Sequence, residues 1–449
     1  MAGAPQSALP WYEREDTWAI IIGLGLTFVI SAAFFMGGTG FFKTMAVSIS
    51  SWDFAKTDKL WSSLAKSTTG MIYLYVFFLA AFCVAAKTMK INIGNYAAGF
   101  TTLFVISLAI TALGSNSFLK YWQLETPLLA LLFGMIVSNT MTLPKWFQSA
   151  LKTEFYVKTG IVLMGATLPF TIIMQAGPMA MAQATIVAAV TFFSIFFAAT
   201  KLFGLDPRFG ACLGAGGSIC GVSGSIAIGG ACRAEKEHVS VAISLVIIWA
   251  VVMVVLLPIW CKALGMEPGP AGAWIGTSEF ADAAGFAAAA AIGDERAIKT
   301  FTLMKVVGRD MFVGIWALLV AWLSVTVWEK KEGNGNGAER VDIGEIWRRF
   351  PKFVIGFFIA SIFTTILIAS VAPKVGAAYS KDALGPIKTL RGWTFTWTFL
   401  SIGFTTRFRE LTATGWKPFA AFTIGVLINV PLGYWLSNVV FLDYWLTVK

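Results

Sequence analysis

The sequence has a single histidine, His238, in 449 residues, which excludes a histidine-rich metal centre. Charge is also scarce. Charged residues make up 13% and hydrophobic residues 57%, whereas soluble domains carry about 25% charged residues. A soluble multidomain protein is therefore excluded, and so is a disordered chain. The five cysteines are Cys83, Cys212, Cys220, Cys232 and Cys261; all lie in or beside apolar segments, and none form a CxxC pair. That argues against a disulfide framework or a zinc site. The sequence contains no phosphate-binding GxxxxGK[ST] loop, no GxSxG and no HExxH, so ATP drive and hydrolase chemistry have no visible machinery and no enzyme is expected. No cofactor motif is present. The net charge of +10 comes from lysines and arginines scattered through short loops, as in membrane proteins. With no basic stripe or RNA-binding motif, nucleic acid is not an expected partner.

What the sequence does have is long apolar runs, at about 17–38, 70–87, 95–114, 125–141, 157–175, 180–203, 209–232, 239–262, 271–292, 300–328, 352–373, 392–406 and 417–441. At about 20 residues per span they predict roughly ten crossings. The first run follows a mixed-charge start without a convincing cleavage site and reads as a retained helix. Stretch 41–69, with Lys43, Lys56, Lys59 and Lys66 among Phe, Trp and Leu, reads as an interfacial amphipathic helix. Stretch 329–351 is the one long polar loop, and its Gly-Asn-Gly-Asn-Gly run reads as a flexible linker. Arg407 and Arg409 close a helix as interfacial residues. His238 reads as a loop residue beside Lys236 and Glu237.

Two internal similarities organise the chain. Residues 159–187 resemble 397–426 at an offset of 238, each with a mid-helix glycine (Gly165, Gly403) and then a turn and a second apolar helix. An odd number of apolar segments separates the copies, so they would be inverted in the membrane. A weaker pair aligns Ser218–Ile226 with Ser278–Phe286 at an offset of 60. For this pair to be inverted too, 209–232 must fold back without crossing, which favours two re-entrant hairpins. Two broken spanning helices are the alternative.

Three groups of residues carry candidate chemistry. Residues 216–225, Gly-Gly-Ser-Ile-Cys-Gly-Val-Ser-Gly-Ser, combine backbone freedom with hydroxyl and half-helix N–H donors for an anion. The alternative is a tight small-residue packing face. Glu279 and Asp282, three apart in an apolar segment, suit a proton or Na⁺ pathway. The alternative is a solvated pair at the interface. Lys305 and Arg309 are four apart and share a helix face, with Asp310 adjacent; they suit an oxyanion. The alternative is an ion pair with Asp310, Glu279 or Asp282 that locks two helices.

Residues 205–261, and Gly214–Gly221 above all, resemble the YeiH-like sulfate exporter family of bacterial inner-membrane proteins. The family pattern there is Gly-Ala-Gly-Ser-Ser-Ile-Cys-Gly, and Gly217 stands where it has its first Ser. GIVLMGATLPF at 160–170, the stretch from Trp274 to Asp310, and 401–419 resemble further family segments, so the resemblance covers about 125–440. After Gly-x-Ser the family has Ile-His-Glu, whereas here Ser278 is followed by Glu279-Phe280-Ala281. The histidine is missing and the acid is displaced to Glu279 or Asp282. The resemblance implies a secondary transporter with inverted repeats and a sulfate-like substrate.

The expected fold is an all-α membrane protein, a polytopic transporter with inverted-topology repeats and two discontinuous or re-entrant helical segments. Residues 1–120 form an amino-terminal extension, 121–328 a first transporter half, 329–351 the polar loop, and 352–449 the helices completing the repeat. The expected function is secondary transport of a small anion, sulfate or a sulfonate-like oxyanion, across the inner membrane. Ser218, Cys220, Gly221, Ser223, Ser225, Ser278, Lys305 and Arg309 would bind it. Glu279, Asp282 and Asp310 would carry the coupling H⁺ or Na⁺. A homodimer in the lipid bilayer is the expected assembly. The alternatives are an uncoupled anion channel or uniporter of the same fold, and a membrane-embedded regulatory subunit.

Overall fold

The computed structural model describes residues 10–121, 126–219, 221–232, 234–310, 319–320, 323, 352–406 and 415–448. Its helices, in chain order, are α1 (Glu15–Phe35), α2 (Asp58–Thr88), α3 (Ile93–Gly114), α4 (Thr126–Thr140), α5 (Thr153–Thr167), α6 (Phe170–Phe197), α7 (Pro207–Ser218), α8 (Val222–Ala231), α9 (Lys236–Ala263), α10 (Pro268–Ser278), α11 (Asp282–Ala290), α12 (Glu295–Thr302), α13 (Phe353–Ser370), α14 (Gly385–Thr405) and α15 (Trp416–Trp435). Short helical turns fill the connections. Among the described residues the only β pairing is two isolated bridges, Trp52–Asn116 and Asp53–Lys56.

Among the described residues, seven helices are long and apolar enough to span a membrane: α1, α2, α3, α6, α9, α13 and α15. The sequence runs outnumber them for physical reasons. The 15 residues of α4 and of α5 reach about 22 Å, short of the roughly 30 Å hydrocarbon core. Helix α14 is long enough but rich in threonine, with buried Arg391 inside it. The runs 209–232 and 271–292 are each split in two. The 41–69 stretch differs from the interfacial helix expected of it. Only Gly40–Met45 is a separate short helix, and residues from Asp58 onward are the first turns of the 31-residue α2. Asp58 sits in the first turn of α2, where a carboxylate suits the helix dipole, and good helix formers continue the helix unbroken. The 329–351 loop, Arg407 and Arg409 lie outside the described residues.

The chain divides into two compact units, each discontinuous in sequence: Met1–Ile172 with Lys352–Arg407, and Ile173–Pro351 with Phe408–Lys449. The first is held by aromatic packing. Phe78, Phe82, Phe100, Tyr156 and Trp397 are fully buried, with Phe78–Trp397 ring centroids 4.9 Å apart and Phe82–Phe100 5.3 Å apart. Offset and edge-on rings of this kind add to the plain burial term. The polar tips are satisfied: Tyr156 donates to the Ala150 carbonyl at 2.7 Å, and Trp397 Nε1 donates to Ser107 Oγ at 3.1 Å. Where α4 crosses α14, Gly134 and Gly403 lie backbone to backbone, and Ser138 Oγ donates to the Gly403 and Thr406 carbonyls at 3.0 and 2.8 Å. Small residues at a crossing allow such an approach inside a bilayer.

In the second unit the two split runs are helical hairpins. In the first, α7 is capped by Asp206, whose side chain accepts the Arg208 and Phe209 N–H groups. It returns as α8, so that the Cys232 thiol lies 3.9 Å from the Arg208 carbonyl and Ser225 Oγ donates to the Cys212 carbonyl at 3.2 Å. In the second, Lys262 Nζ donates to the Ala291 carbonyl at 2.5 Å and Arg296 lies 3.9 Å from Glu267, which brings the entry and exit of the α10–α11 pair together. Both segments therefore leave on the side from which they enter, the re-entrant arrangement rather than the broken spanning one. Helix α9 joins the exit of the first hairpin to the entry of the second. Its 28 residues extend about 42 Å, so the two hairpins open at opposite ends of α9.

Helix boundaries recur at the two offsets seen in the sequence. The breaks follow Ser218 and Ser278, and the return helices start at Val222 and Asp282, both 60 residues apart. At 238, α5 and α14 end at Thr167 and Thr405, and α6 and α15 end at Phe197 and Trp435. The π-helical turns Ala198–Leu202 and Leu436–Val440 then follow in register. Contacts recur as well: Ile195 packs on Gly217, and at the corresponding positions Gly433 packs on Thr277. Thr191 and Asn429, also 238 apart, hydrogen-bond each other at 2.8 Å.

Candidate functional site

The tips of the two hairpins meet. Gly221 starts the return of the first with φ 67°, a conformation that a side chain resists. A Cβ there would strike the Phe280 carbonyl in the tip of the second. The second tip turns differently, without glycine: Glu279 and Ala281 are extended, and the Glu279 carboxylate accepts the Ala281 N–H at 3.1 Å.

Lys305 and Arg309 fasten the tips together. Lys305 lies in the π-helical turn Leu303–Val307 that follows α12, and Arg309 lies four residues later. Lys305 Nζ donates to the carbonyl oxygens of Ile219 at 3.4 Å and Glu279 at 3.3 Å. Arg309 Nε donates to Ser218 O at 3.1 Å, and its Nη1 to the carbonyls of Gly276, Thr277 and Glu279 at 3.0, 3.0 and 3.2 Å. The last carbonyls of a helix have no intrahelical donor and carry its negative dipole end. Two cations at the carboxyl ends of α7 and α10 satisfy both needs at once. Lys305 also pairs with the Asp282 carboxylate at 3.3 Å.

The sequence candidates divide accordingly. Ser218, Gly221, Ser278, Glu279, Asp282, Lys305 and Arg309 come together at the tips. Ser225 is turned to the Cys212 carbonyl inside its own hairpin. Asp310 is buried beside Arg309 in sequence. Cys220 and the Ser223 side chain lie outside the described residues. His238 lies in the first turn of α9, stacked on Phe209 at 4.4 Å and 3.8 Å from Glu235, at the open end of the first hairpin. Asn429, Thr191 and Thr185 were missed. Asn429 Nδ2 donates to Thr191 Oγ1 at 2.8 Å and to the Thr277 carbonyl at 3.2 Å. Its signal was a lone amide in an apolar run, the kind of residue that marks a buried function in a membrane helix. Thr185 lines a cavity of about 10 Å³ with Ser218, Ile219, Gly308 and Arg309, about the room one water needs.

Unused polar atoms concentrate here. Ser218 Oγ, Ser278 Oγ, Glu279 Oε2 and Asn429 Oδ1 are buried and make no hydrogen bond among the described residues. Buried polar groups without partners are rare, and each implies a water, an ion or a ligand. The amino ends of α8 and α11 start beside them, each with backbone N–H groups that no helical carbonyl reaches.

Comparison with known proteins places the chain in a family. The model of the family described as conserved hypothetical protein 698 matches residues 98–422. A UPF0324 membrane protein of Rhodopirellula baltica is 33% identical over 85% of this chain and 70% of its own length. One from Nitratidesulfovibrio vulgaris is 31% identical over 83% of this chain, which spans 64% of that relative's length. One from Nitrosomonas europaea is 29% identical over 90% of this chain and 92% of its own. No solved structure matches. With spanning helices and relatives in agreement, the chain is a multi-pass membrane protein and belongs to the conserved hypothetical protein 698 family, the UPF0324 membrane proteins, as the YeiH-like resemblance implied.

Proposed function

We propose that this protein is a secondary active transporter of a small anion, sulfate or a sulfonate-like oxyanion, coupled to H⁺ or Na⁺. The observation that carries the reading is the meeting of two hairpin tips whose carboxyl-end carbonyls are already bonded to Lys305 and Arg309. Donors left over there are the opening N–H groups of α8 and α11 and the Ser218 and Ser278 hydroxyls, with the acceptors Glu279 Oε2 and Asn429 Oδ1 beside them. Helix amino ends and hydroxyls are anion ligands. Discontinuous helices that meet at mid-depth are the usual substrate site of transporters built from inverted repeats. The openings of the hairpins at opposite ends of α9, the recurring boundaries, and the Thr191–Asn429 bond between equivalent positions support that inverted arrangement.

The test is labelled sulfate flux in proteoliposomes under imposed pH or Na⁺ gradients, for wild type and the Ser218→Ala/Ser278→Ala double variant. Gradient-driven uptake that falls about tenfold or more in the double variant is the expected result. Flux indifferent to both gradients identifies an uncoupled channel. Flux that requires a co-expressed partner identifies a subunit. If sulfonates or carboxylates move and sulfate does not, the substrate is reassigned, consistent with the missing family histidine. Absence of flux for the whole panel in correctly reconstituted protein overturns the reading.

A further inference from the structure

The segments that build the site carry three acids, Glu279, Asp282 and Asp310, and their surroundings separate their roles. Asp282 is the partner of the Lys305 ammonium at 3.3 Å. Asp310 is the residue next to Arg309, on the basic segment itself. Glu279 is different. It is fully buried, and both cations hydrogen-bond its backbone: Lys305 Nζ and Arg309 Nη1 donate to the Glu279 carbonyl oxygen at 3.3 and 3.2 Å. Of its carboxyl oxygens, Oε1 accepts one N–H, from Ala281 at 3.1 Å, and Oε2 has no partner among the described residues. The side chain folds back toward Gly285 of α11.

We propose that Glu279 is the group that binds and releases the coupling ion, that this ion is a proton, and that Asp282 is a fixed counter-ion. The inference rests on the reading of the protein as a coupled anion transporter and names its coupling residue. A buried carboxylate needs a directly bonded cation or several donors on each oxygen; Oε2 has no direct partner, and Lys305 and Arg309, spent on backbone carbonyls, act on it only through space. The same group as a neutral acid carries no charge to compensate, so the missing partner at Oε2 costs it far less than it costs a carboxylate. A Na⁺ held at Oε2 would lie beside Lys305 and Arg309, so like-charge repulsion disfavours it, whereas a proton adds no separate ion. The charged groups facing Glu279 are Lys305 and Arg309 from the segment after α12 and Asp282 from α11, with Asp310 following Arg309. From α15 comes the uncharged Asn429, whose amide donates to the Thr277 carbonyl.

Coupling follows from charge. With Glu279 ionised, an entering anion meets a carboxylate in a low-dielectric site and is repelled. With Glu279 neutral, the repulsion is gone and the anion binds at the hairpin tips. Release reverses this: the O–H bond breaks, the electron pair stays on the carboxylate, the proton passes to water, and the anion is expelled on the same side. Proton and anion therefore move in the same direction.

The experiment uses the full chain in proteoliposomes with labelled inorganic sulfate, comparing wild type, E279Q and D282N. Glutamine keeps the shape and the Oε1 acceptor but cannot lose a proton. Wild type is expected to accumulate sulfate at least tenfold over its equilibrium level when the outside is made acidic, and its counterflow rate is expected to rise as pH falls. In E279Q the accumulation ratio falls to about one, and whatever counterflow remains is flat with pH. D282N retains a pH-dependent counterflow, however slow. Wild-type-like, pH-driven accumulation by E279Q overturns the inference, and so does sulfate accumulation driven by Na⁺ at constant pH. If wild type shows no counterflow of any anion, the transport reading fails first. Infrared spectra with isotope-labelled glutamate then decide the protonation separately. A protonated-carboxyl band present in wild type and missing from E279Q supports it, and absence of that band from wild type at acid and neutral pH rejects it.

Discussion

The two hairpins share a plan and differ in how they turn. The first reverses at Gly221, through a left-handed backbone and with no ionisable side chain at its described tip residues. The second reverses through extended residues and puts Glu279 at the turn, its own carboxylate taking the place of a helical carbonyl for the Ala281 N–H. The first closes on itself through Ser225 and Cys212. The second leans on its neighbours: Gly272 lies against Ala297 and Thr300, Gly276 against Met304, and Trp274 Nε1 donates to the Val430 carbonyl at 2.9 Å. Only the segment after α12 supplies cations, and it serves both tips. At the position 60 residues before Arg309 stands Trp249. Among the described residues one tip is thus neutral and the other titratable, and under the proposed function a carrier needs that asymmetry if only one ion accompanies each substrate.

Three substitutions sharpen the contrast, from the largest effect to the smallest. Arg309→Ala takes a donor from four buried carbonyls drawn from both hairpins, and only Glu279 and Thr277 keep a second one, from Lys305 and Asn429. Breaking a buried charged interaction costs about 3–5 kcal/mol, so the expected outcome is loss of monodisperse protein in size-exclusion chromatography. Arg309→Lys is expected to recover part of it. A soluble, normally melting Arg309→Ala protein would show that the tips are not held by this clamp. Gly221→Ala meets both a disfavoured φ and the Phe280 carbonyl and is expected to cost about 1–3 kcal/mol. Ala281→Gly, in the corresponding stretch of the second tip, is expected to cost less than about 1 kcal/mol. Equal shifts in thermal melting for the two would erase the distinction between the turns.

The smallest effect lies at the open end of the second hairpin. Asp294 caps α12 by accepting the Arg296 N–H at 2.8 Å and pairs with the Arg296 guanidinium at 3.0 Å. Hydrogen bonding to the Arg296 side chain is the main influence that lowers its pKa below the ordinary 3.8. A lowered folded value means the contribution is complete above about pH 4 and is lost as pH falls below it. Asp294→Ala is expected to cost about 1 kcal/mol at neutral pH, with the difference from wild type shrinking in melts run at acid pH. A constant difference down to pH 3 would mean the cap works through shape alone.

Much of this was legible in the sequence because membranes simplify the physics. Apolar runs gave the spans, and glycine- and serine-rich texture marked the first hairpin. Asp206-Pro207 and Glu267-Pro268 stand at the starts of α7 and α10, and the 60-residue similarity fell on both breaks. The length shortfall of α4 and α5 was not legible, since apolarity alone does not say where a helix ends. Nor was the use of Lys305 and Arg309. Spacing put them on one face, but only the folded chain shows that face directed at backbone carbonyls, which carry no sequence signature. Asn429 was not legible because its partner Thr191 lies 238 residues away, and a single amide in an apolar run carries no mark of what it bonds.

The order of the helices has a consequence for how the protein is made. Ile195, which packs on Gly217, precedes the first hairpin, so that hairpin emerges from the ribosome onto a support already in place. The second hairpin emerges without its own: Gly433, which packs on Thr277, lies 155 residues after Ser278. At about 5–20 residues per second, that is a wait on the order of 8–30 s. During it, the Thr277 and Ser278 hydroxyls face a vacant flank, and Glu279 has only the basic segment after α12 to shelter it. A nascent chain arrested before residue 416 would carry a first hairpin seated on Ile195 but not yet on Phe422, and a second with its Gly433 flank vacant, and the insertion machinery or a chaperone would have to hold the difference.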